Sequence, residues 1–378
     1  MNSHTAPHSS LLFEVRSALS SDVTALLALE VAAFSGDRLS RRSFRRAITS
    51  TGSALLVAVG EQGLLGYALL HLRQGTRLAR LYSLAVSPDS RGLGVGRVLM
   101  EACEKKAVTQ GKALLRLEVS DVNLGAIALY HKMGYQDFGH YNAYYEDQTD
   151  AIRMQKTLRH YSTEQTSHPI PWLAQGTPFT CGPASLQMVL SALQTAYQAT
   201  PDDELEIWRE ATTIFMTSGH GGCHPMGLAL AAQKRGLSAQ LWLSEAGPLF
   251  VDSVRDALKK DVITRVHYGF AKQCDRLGIV VNYSVMPLVQ LISAFDSGAL
   301  ALILISTFRM DGKKAPHWVV MSGYDDHCIL VHDPDFDENE EIQSPLDCQY
   351  VPIARDEFEK MSRFGQCRLQ ATVVCQSL

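Results

Sequence analysis

Long apolar runs are missing from this chain. The longest, Ala299–Ile305, is too short to cross a bilayer. The start, Met1-Asn-Ser-His-Thr-Ala-Pro-His8, has no basic segment followed by an apolar core, so no secretory signal is expected. Cysteine is sparse: eight residues at irregular spacings exclude a disulfide scaffold. Excess positive charge is missing too. The net charge is −4, and neither half carries the dense basic patch of a nucleic-acid binder. Neither a membrane nor a nucleic acid is therefore expected as a partner. A soluble cytoplasmic protein with reduced thiols is the default expectation, and the oligomeric state stays open.

What is present is enough for two or three domains: 378 residues, 46% of them hydrophobic. The charge is unevenly divided. Residues 1–160 carry 19 Lys/Arg against 14 Asp/Glu, and the remainder carries 16 against 25. A mildly basic first part suits an anionic ligand, and an acidic second part favours a cationic peptide. Residues 1–10 read as disordered. From Leu11 the order is mixed α/β: strands at Phe13–Ser17, Leu55–Val59, Gly66–Leu72, Ala79–Val86 and Ala113–Val119, and helices at Ser21–Ala33, Gly96–Gln110 and Asn123–Met133. Tyr144–Thr157 supplies the last strand or strands. The polar stretch 159–168 reads as a linker between a domain at 11–158 and one at 169–378. The second begins with helices, at 181–197, 202–215 and 225–236. Strands follow at Ser238–Leu243, Ala299–Thr307, His317–Tyr324 and His327–Asp333, an α+β order.

In the first domain a strand passes into a helix through a glycine-rich loop, Val86-Ser-Pro88-Asp-Ser-Arg91-Gly92-Leu-Gly94-Val-Gly96-Arg97. Small residues there let backbone N–H groups approach a pyrophosphate at a helix N-terminus. The spacing misses the dinucleotide fingerprint, and no Gly-Lys-Ser/Thr follows for a P-loop. Together with Asn123-x-x-Ala126-x-x-Leu129-Tyr130-x-x-Met133-Gly134-Tyr135, the loop resembles the GNAT acetyltransferase family over about residues 12–158. Leu117-Glu118-Val119 and Tyr141-Asn142-Ala-Tyr144-Tyr145 bring it nearest to the ribosomal-protein alanine N-acetyltransferases. Ala143 splits the usual Asn-Tyr-Tyr run of that subgroup. The resemblance implies a GNAT fold and transfer of acetyl from acetyl-CoA to an amine of a peptide or protein. It implies a pyrophosphate loop at Arg91, Gly92, Gly94, Gly96 and Arg97, with Asn123 also on the cofactor side. Main-chain groups of Leu84 and Val86 would pair with the pantetheine arm, Glu118 would be the base and Tyr130 the acid.

The second domain opens on Gln175-Gly-Thr-Pro-Phe-Thr-Cys181-Gly182-Pro183-Ala184, which sets a cysteine at a helix start six residues after a glutamine. A helix N-terminus favours thiolate over thiol, and an upstream amide can donate to an oxyanion. His317 begins a strand and Asp333 ends the next, so a hairpin can bring them together. Asp333 then fixes the imidazole's tautomer. With His224-Pro225-x-Gly227-Leu228 between them, these motifs resemble the papain-like peptidase domain of bacteriocin exporters, over roughly residues 168–375. That resemblance implies Cys181 as nucleophile, His317 as base and then acid, Asp333 as orienter and Gln175 as oxyanion donor. Two alternatives stay open for this domain: a thioester-forming transferase or transpeptidase, and a peptide-binding module that does not cut. His220, Cys223 and His224, or His327, Cys328 and His332, are a weaker pattern for zinc, since no C-x-x-C accompanies them. The run Asp333-Pro-Asp335-Phe-Asp337-Glu338 lacks the glycine and distal glutamate of a calcium loop. No metal is expected.

Overall fold

The structure, a computed structural model, describes residues 13–34, 36–61, 63–158, 165–213, 215–216, 219–251, 254–311, 315–336 and 345–378. The expected disordered start, residues 159–164 of the expected linker, residues 312–314 and the Asp337-Glu338 end of the acidic run lie outside these. So does the side chain of His220. The described chain divides into two compact units, the first ending and the second beginning within residues 159–164, with Gln74–Thr76 grouped with the second.

The first unit runs β1 (Phe13–Ser17), α1 (Val23–Ala33), α2 (Arg41–Thr49), β2 (Ser53–Gly60), β3 (Gly63–His71), β4 (Leu78–Val86), α3 (Val95–Thr109), β5 (Leu114–Ser120), α4 (Leu124–Lys132), β6 (Gln136–Tyr141) and β7 (Ala151–Thr157). The strands make one sheet in the order β1-β2-β3-β4-β5-β7-β6. Every neighbouring pair is antiparallel except β4 and β5, which are parallel. Alternation along the strands supplies a core on each face. On one, Leu99, Met100 and Cys103 of α3 meet Leu115, Leu117 and Met154. On the other, Leu26 of α1 and Phe44 of α2 meet Val57, Tyr67 and Leu69. Each of these large side chains contributes about 1.5–3 kcal/mol by leaving water.

The β4–β5 pairing extends only from Leu78–Leu81 to Leu114–Leu117. Beyond it β4 stays paired with β3 while β5 stays paired with β7. The two parallel strands therefore part, and among the described residues the edges of Leu84 and Val86 that turn toward β5 have no strand partner.

Two elements differ from the sequence reading. Of Tyr144–Thr157, expected to supply the last strand or strands, only Ala151–Thr157 is a strand, β7; its partner β6 lies earlier, at Gln136–Tyr141, and 144–149 is the turn region between them. There Asp147 accepts from the backbone and hydroxyl of Thr149 at 3.0 and 2.7 Å. Helix α2 was not expected at all. It shows six polar residues in nine and buries only Ser43, Phe44 and Ala47.

The second unit holds β8 (Thr166–Ser167), α5 (Cys181–Leu193), α6 (Pro201–Ala211), β9 (Phe215–Met216), β10 (Gly219–His220), α7 (Pro225–Lys234), β11 (Leu237–Leu243), α8 (Ala257–Leu277), β12 (Val280–Asn282), α9 (Leu288–Asp296), β13 (Leu300–Ser306), α10 (Phe308–Asp311), β14 (Pro316–Tyr324), β15 (Cys328–His332), β16 (Val351–Ala354), α11 (Arg355–Met361) and β17 (Ala371–Ser377). Its main sheet follows the order β12-β11-β17-β13-β14-β15-β16, with β8 added on β14. Thr166–Ser167, at the end of the expected linker, thus belongs to this sheet. Gly323 permits the approach: a Cβ there would lie 2.5 Å from the carbonyl oxygen of Thr166. Strand β17, the last element of the chain, lies between β11 and β13.

Helix α5 is the buried spine of this unit, with Gly182 through Leu190 all inside. Ser185 Oγ donates to the carbonyl of Trp318 at 3.2 Å, which holds the helix against β14. A Cβ on Gly182 would lie 3.1 Å from Cys223 Cβ and 3.2 Å from Trp318 Cδ1, so only glycine lets the helix start approach this closely. Among the described residues no helix is long and apolar enough to cross a membrane. None of the eight cysteines is in a disulfide.

Candidate functional site

In the second unit, Cys181 is the first residue of α5 and only partly buried. His317 lies at the start of β14, paired with Ile305 of β13. Asp333 follows β15 directly. His317 Nε2 meets Asp333 Oδ1 at 2.7 Å, and both side chains are buried. The ring's other nitrogen, Nδ1, is thereby left for the Cys181 sulfur, whose interaction with the imidazole helps to raise the His317 pKa. Burial would pull the His317 pKa down. The charge of Asp333, its hydrogen bond and the contact with Cys181 outweigh it and hold the pKa well above the ordinary value. The imidazolium form is therefore favoured beside the sulfur.

Asp333 is itself fixed from several sides. Its Oδ1 also accepts from the Asp335 backbone N–H at 3.0 Å. Its backbone N–H donates to Cys348 at 2.8 Å, and its carbonyl accepts from Trp172 Nε1 at 2.8 Å. Gln175 reaches the same segment. Its backbone N–H donates to Pro334 at 2.9 Å and its side-chain Nε2 to Asp335 Oδ1 at 3.2 Å. The loop after Gln175 is pinned by Glu204 of α6, which accepts from the Gly176 N–H at 2.8 Å. Sequence reasoning missed Asp335 as a partner of Gln175. The Asp-Pro-Asp run was visible, but nothing local tied its second carboxylate to a residue 160 positions earlier.

Two of the weak zinc candidates have other partners. His224 caps α7, its Nδ1 accepting from Met226 N–H at 3.1 Å, and its Nε2 meets His267 Nδ1 at 3.0 Å. Burial, and then His267, push the His224 pKa down to about 3. His332 is clamped between the Ile170 carbonyl at 3.1 Å and the Tyr350 N–H at 3.0 Å. Both rings are thus fully buried and engaged in structural hydrogen bonds.

In the first unit, the glycine-rich loop lies between β4 and α3. Gly92 and Gly94 have φ of 77° and 81°, left-handed values that favour glycine. Gly96 and Arg97 stand in the first turn of α3, whose N–H groups have no partner within the helix. Arg91 and Arg97 flank that turn, and Arg97 pairs with Glu101 at 2.8 Å. A loop of this shape beside the parting strands fits the phosphate and pantetheine portions of acetyl-CoA, the cofactor of GNAT acetyltransferases. Asn123 is placed as the cap of α4, its Oδ1 accepting from Ala126 N–H at 3.2 Å. Tyr130 is buried on α4 against Tyr135, with ring centroids 5.8 Å apart. Burial, with Cys103 nearby, pushes the Tyr130 pKa up and keeps the phenol protonated. The Glu118 side chain, on β5, is only 3% exposed. Its Oε2 accepts from Arg80 Nε at 2.8 Å, while its Oε1 has no hydrogen-bond partner among the described residues.

Two family models match the chain. Residues 170–376 match the Peptidase_C39 like family, and residues 23–135 match the Acetyltransferase (GNAT) family. A streptothricin acetyltransferase of Streptomyces lavendulae is 37% identical over 95 residues, which is 25% of this chain and 50% of that protein. The [ribosomal protein bS18]-alanine N-acetyltransferase of Salmonella typhimurium is 38% identical over 79 residues, 20% of this chain and 53% of its own length. The chain thus spans about half the length of these curated relatives. Among solved structures, the ribosomal-protein-S18-alanine N-acetyltransferase from Escherichia coli aligns with a TM-score of 0.37 and 25% identity, covering 40% of this chain and 97% of that one. The first unit has the GNAT fold and the second the papain-like fold, and the chain, through more than half of its length, belongs to the Peptidase_C39 like family.

Proposed function

We propose a bifunctional enzyme of the cytoplasm that modifies peptides. One domain, over 11–158, acetylates a peptide or protein amine, and the other, over 169–378, cleaves a peptide bond through a Cys181 thioester. Residues 159–165 join them, since Thr166–Ser167 already pairs with β14. The observation that carries the second activity is the line from the Cys181 sulfur through the His317 imidazole to Asp333 Oδ1, with 2.7 Å at its last step.

Cleavage follows from that line. The Cys181 sulfur attacks the carbonyl carbon, and charge develops on the carbonyl oxygen. Helix N-terminal N–H groups and the Gln175 amide stabilise it. His317 Nδ1 gives its proton to the departing amine as the C–N bond breaks, leaving an acyl-cysteine. The neutral imidazole then takes a proton from water. The resulting hydroxide attacks the thioester, the C–S bond breaks and the pair is restored. Asp333 holds the Nε2–H throughout, so that Nδ1 always faces the sulfur.

For acetyl transfer, acetyl-CoA supplies an acetyl thioester. Gly92, Gly94, Gly96 and the α3 N-terminus would hold its phosphates, and the freed edge of Leu84 and Val86 its pantetheine. Glu118 Oε1 takes a proton from the acceptor ammonium, directly or through water, so that the free amine can attack. Tyr130 gives its phenolic proton to the sulfur that leaves.

The test is intact-mass measurement of an acyl adduct on Cys181 after mixing with a peptide panel. An adduct in the native chain that is absent from Cys181→Ala supports cleavage. Equal activity of the two proteins sinks it and favours the non-cutting module. Transferred rather than hydrolysed products would assign a transpeptidase. Thiol release from acetyl-CoA with the same panel tests the other half.

A further inference from the structure

One face of the first unit's sheet carries an excess of buried positive charge. Arg80 of β4 lies in register with Arg116 of β5. Glu118 lies opposite Arg153 of β7, and Arg116 opposite Gln155. Residues two apart on a strand share a face, so these five side chains stand together, while Leu115, Leu117 and Met154 face the core on the other side. Arg80, Arg116 and Arg153 are only 5%, 3% and 6% exposed.

Arg80 is bound to Glu118 Oε2 and, at 3.3 Å, to Tyr144 Oη. Arg116 donates its Nε to Gln155 Oε1 at 2.8 Å. Arg153 is different. Its guanidinium carbon lies 4.4 Å from the Phe138 ring centre and 4.9 Å from that of Tyr141. Its Nε and Nη2 are buried and have no hydrogen-bond acceptor among the described residues. These two nitrogens share one edge of the guanidinium, the edge that binds both oxygens of a carboxylate side-on. Gly139 of β6 makes room for the arm, since a Cβ there would lie 3.0 Å from Arg153 Cδ. Burying two N–H groups of a charged side chain without acceptors is unfavourable, because their hydration is lost and nothing replaces it. A ligand carboxylate would remove that cost. Directly opposite on β5, Glu118 presents Oε1, also without a partner.

We propose that Arg153 is the carboxylate-binding residue of the acceptor pocket, and that the acceptor is an amine carrying a carboxylate a few bonds away. Its ammonium faces Glu118 Oε1 and its carboxylate the Nε/Nη2 edge of Arg153. The carboxylate belongs either to an acidic first residue of a peptide or to an α-amino acid itself. This rests on the acetyl-transfer reading of the same site.

The experiment uses the full chain and two matched pairs: peptides differing only in Glu or Gln at the first position, and alanine against alaninamide. Two quantities are read, kcat/KM for thiol release from acetyl-CoA and calorimetric binding in the presence of CoA. The carboxylate member of one pair is expected to be preferred about tenfold or more. Preference within the peptide pair assigns a side-chain carboxylate, and preference for alanine an α-carboxylate. In Arg153→Gln the preference should fall to within about threefold. Arg153→Lys keeps the charge without the fork, covers the case in which the glutamine variant does not fold, and should lose most of the preference too. Both native pairs within about threefold in binding and in turnover would overturn the proposal. Discrimination in binding without thiol release supports the pocket and removes only the catalytic reading. Release without discrimination removes only the pocket.

Discussion

Gln175 donates its side-chain amide to Asp335, and Asp335 donates its backbone N–H to Asp333, the residue that holds His317. A single Asp-Pro-Asp turn therefore orients both the proton carrier and the amide proposed to stabilise the oxyanion. Removing an oxyanion donor costs about 10²–10³ in rate, and loosening one costs less. Gln175→Ala should slow acylation of Cys181 by about 10²-fold, and Asp335→Ala by about tenfold. Alkylation of Cys181 by iodoacetamide, which builds no oxyanion, should stay near the native rate in Gln175→Ala. If alkylation falls in step with acylation, the amide supports the loop rather than the chemistry.

The raised pKa of His317 sets the pH dependence. Its imidazolium is favoured in the folded chain, chiefly through Asp333 against the opposing effect of burial. That interaction stabilises the fold fully below the free histidine value of about 6.5 and is lost as pH rises through the folded value. Asp333→Asn removes the charge, so the alkaline limb of the acylation profile should move to lower pH. Turnover across pH 5 to 10 checks this, and an unmoved limb would assign the limb to another group.

His224 and His267 give the opposite sign. Both are held neutral: burial, and then His267, depress His224 to about 3, and burial depresses His267. Their contribution to stability is complete above about 6.5 and declines as pH falls toward the folded values. Urea unfolding of the native chain should lose a few kcal/mol, as an order of magnitude, between pH 7 and pH 4. Replacing the pair with His224→Asn and His267→Leu should flatten that slope.

Tyr130 offers a clean separation of packing from proton transfer. Tyr130→Phe keeps the ring against Tyr135 and removes the hydroxyl. Acetyl transfer should fall by about 10²-fold or more, with the thermal midpoint within a few degrees of native. CoA binding by calorimetry should be unchanged, since Tyr130 is proposed to act only on the departing sulfur. Full activity in Tyr130→Phe would pass the acid role to another group.

Much of the architecture was legible because it is written locally. The β2–β3 hairpin, the loop into α3 and the Asn123 start of α4 each depend on residues within a few positions of one another. The position of Cys181 at a helix start was legible for the same reason, and so was the hairpin joining His317 to Asp333. Helix α2 was not legible, since its apolar stripe is only two residues wide, nor was β6, a polar edge strand. Helix α8 and strands β12, β16 and β17 were missed as well. Strand β17 in particular owes its place to partners about seventy residues or more away in sequence.

The chain alone determined which chemistry is available: a cysteine at a helix start with a histidine and an aspartate on adjoining strands, and a glycine loop ahead of a helix. These signals are short-range backbone preferences and side-chain types. Only the tertiary structure decided who meets whom. It set Arg80 against Glu118, turned Gln175 toward Asp335, and left the fork of Arg153 without an acceptor among the described residues. Those pairings depend on strand register and on packing between distant segments, and a strand shifted by one residue would turn Arg80, Glu118 or Arg153 to the opposite face.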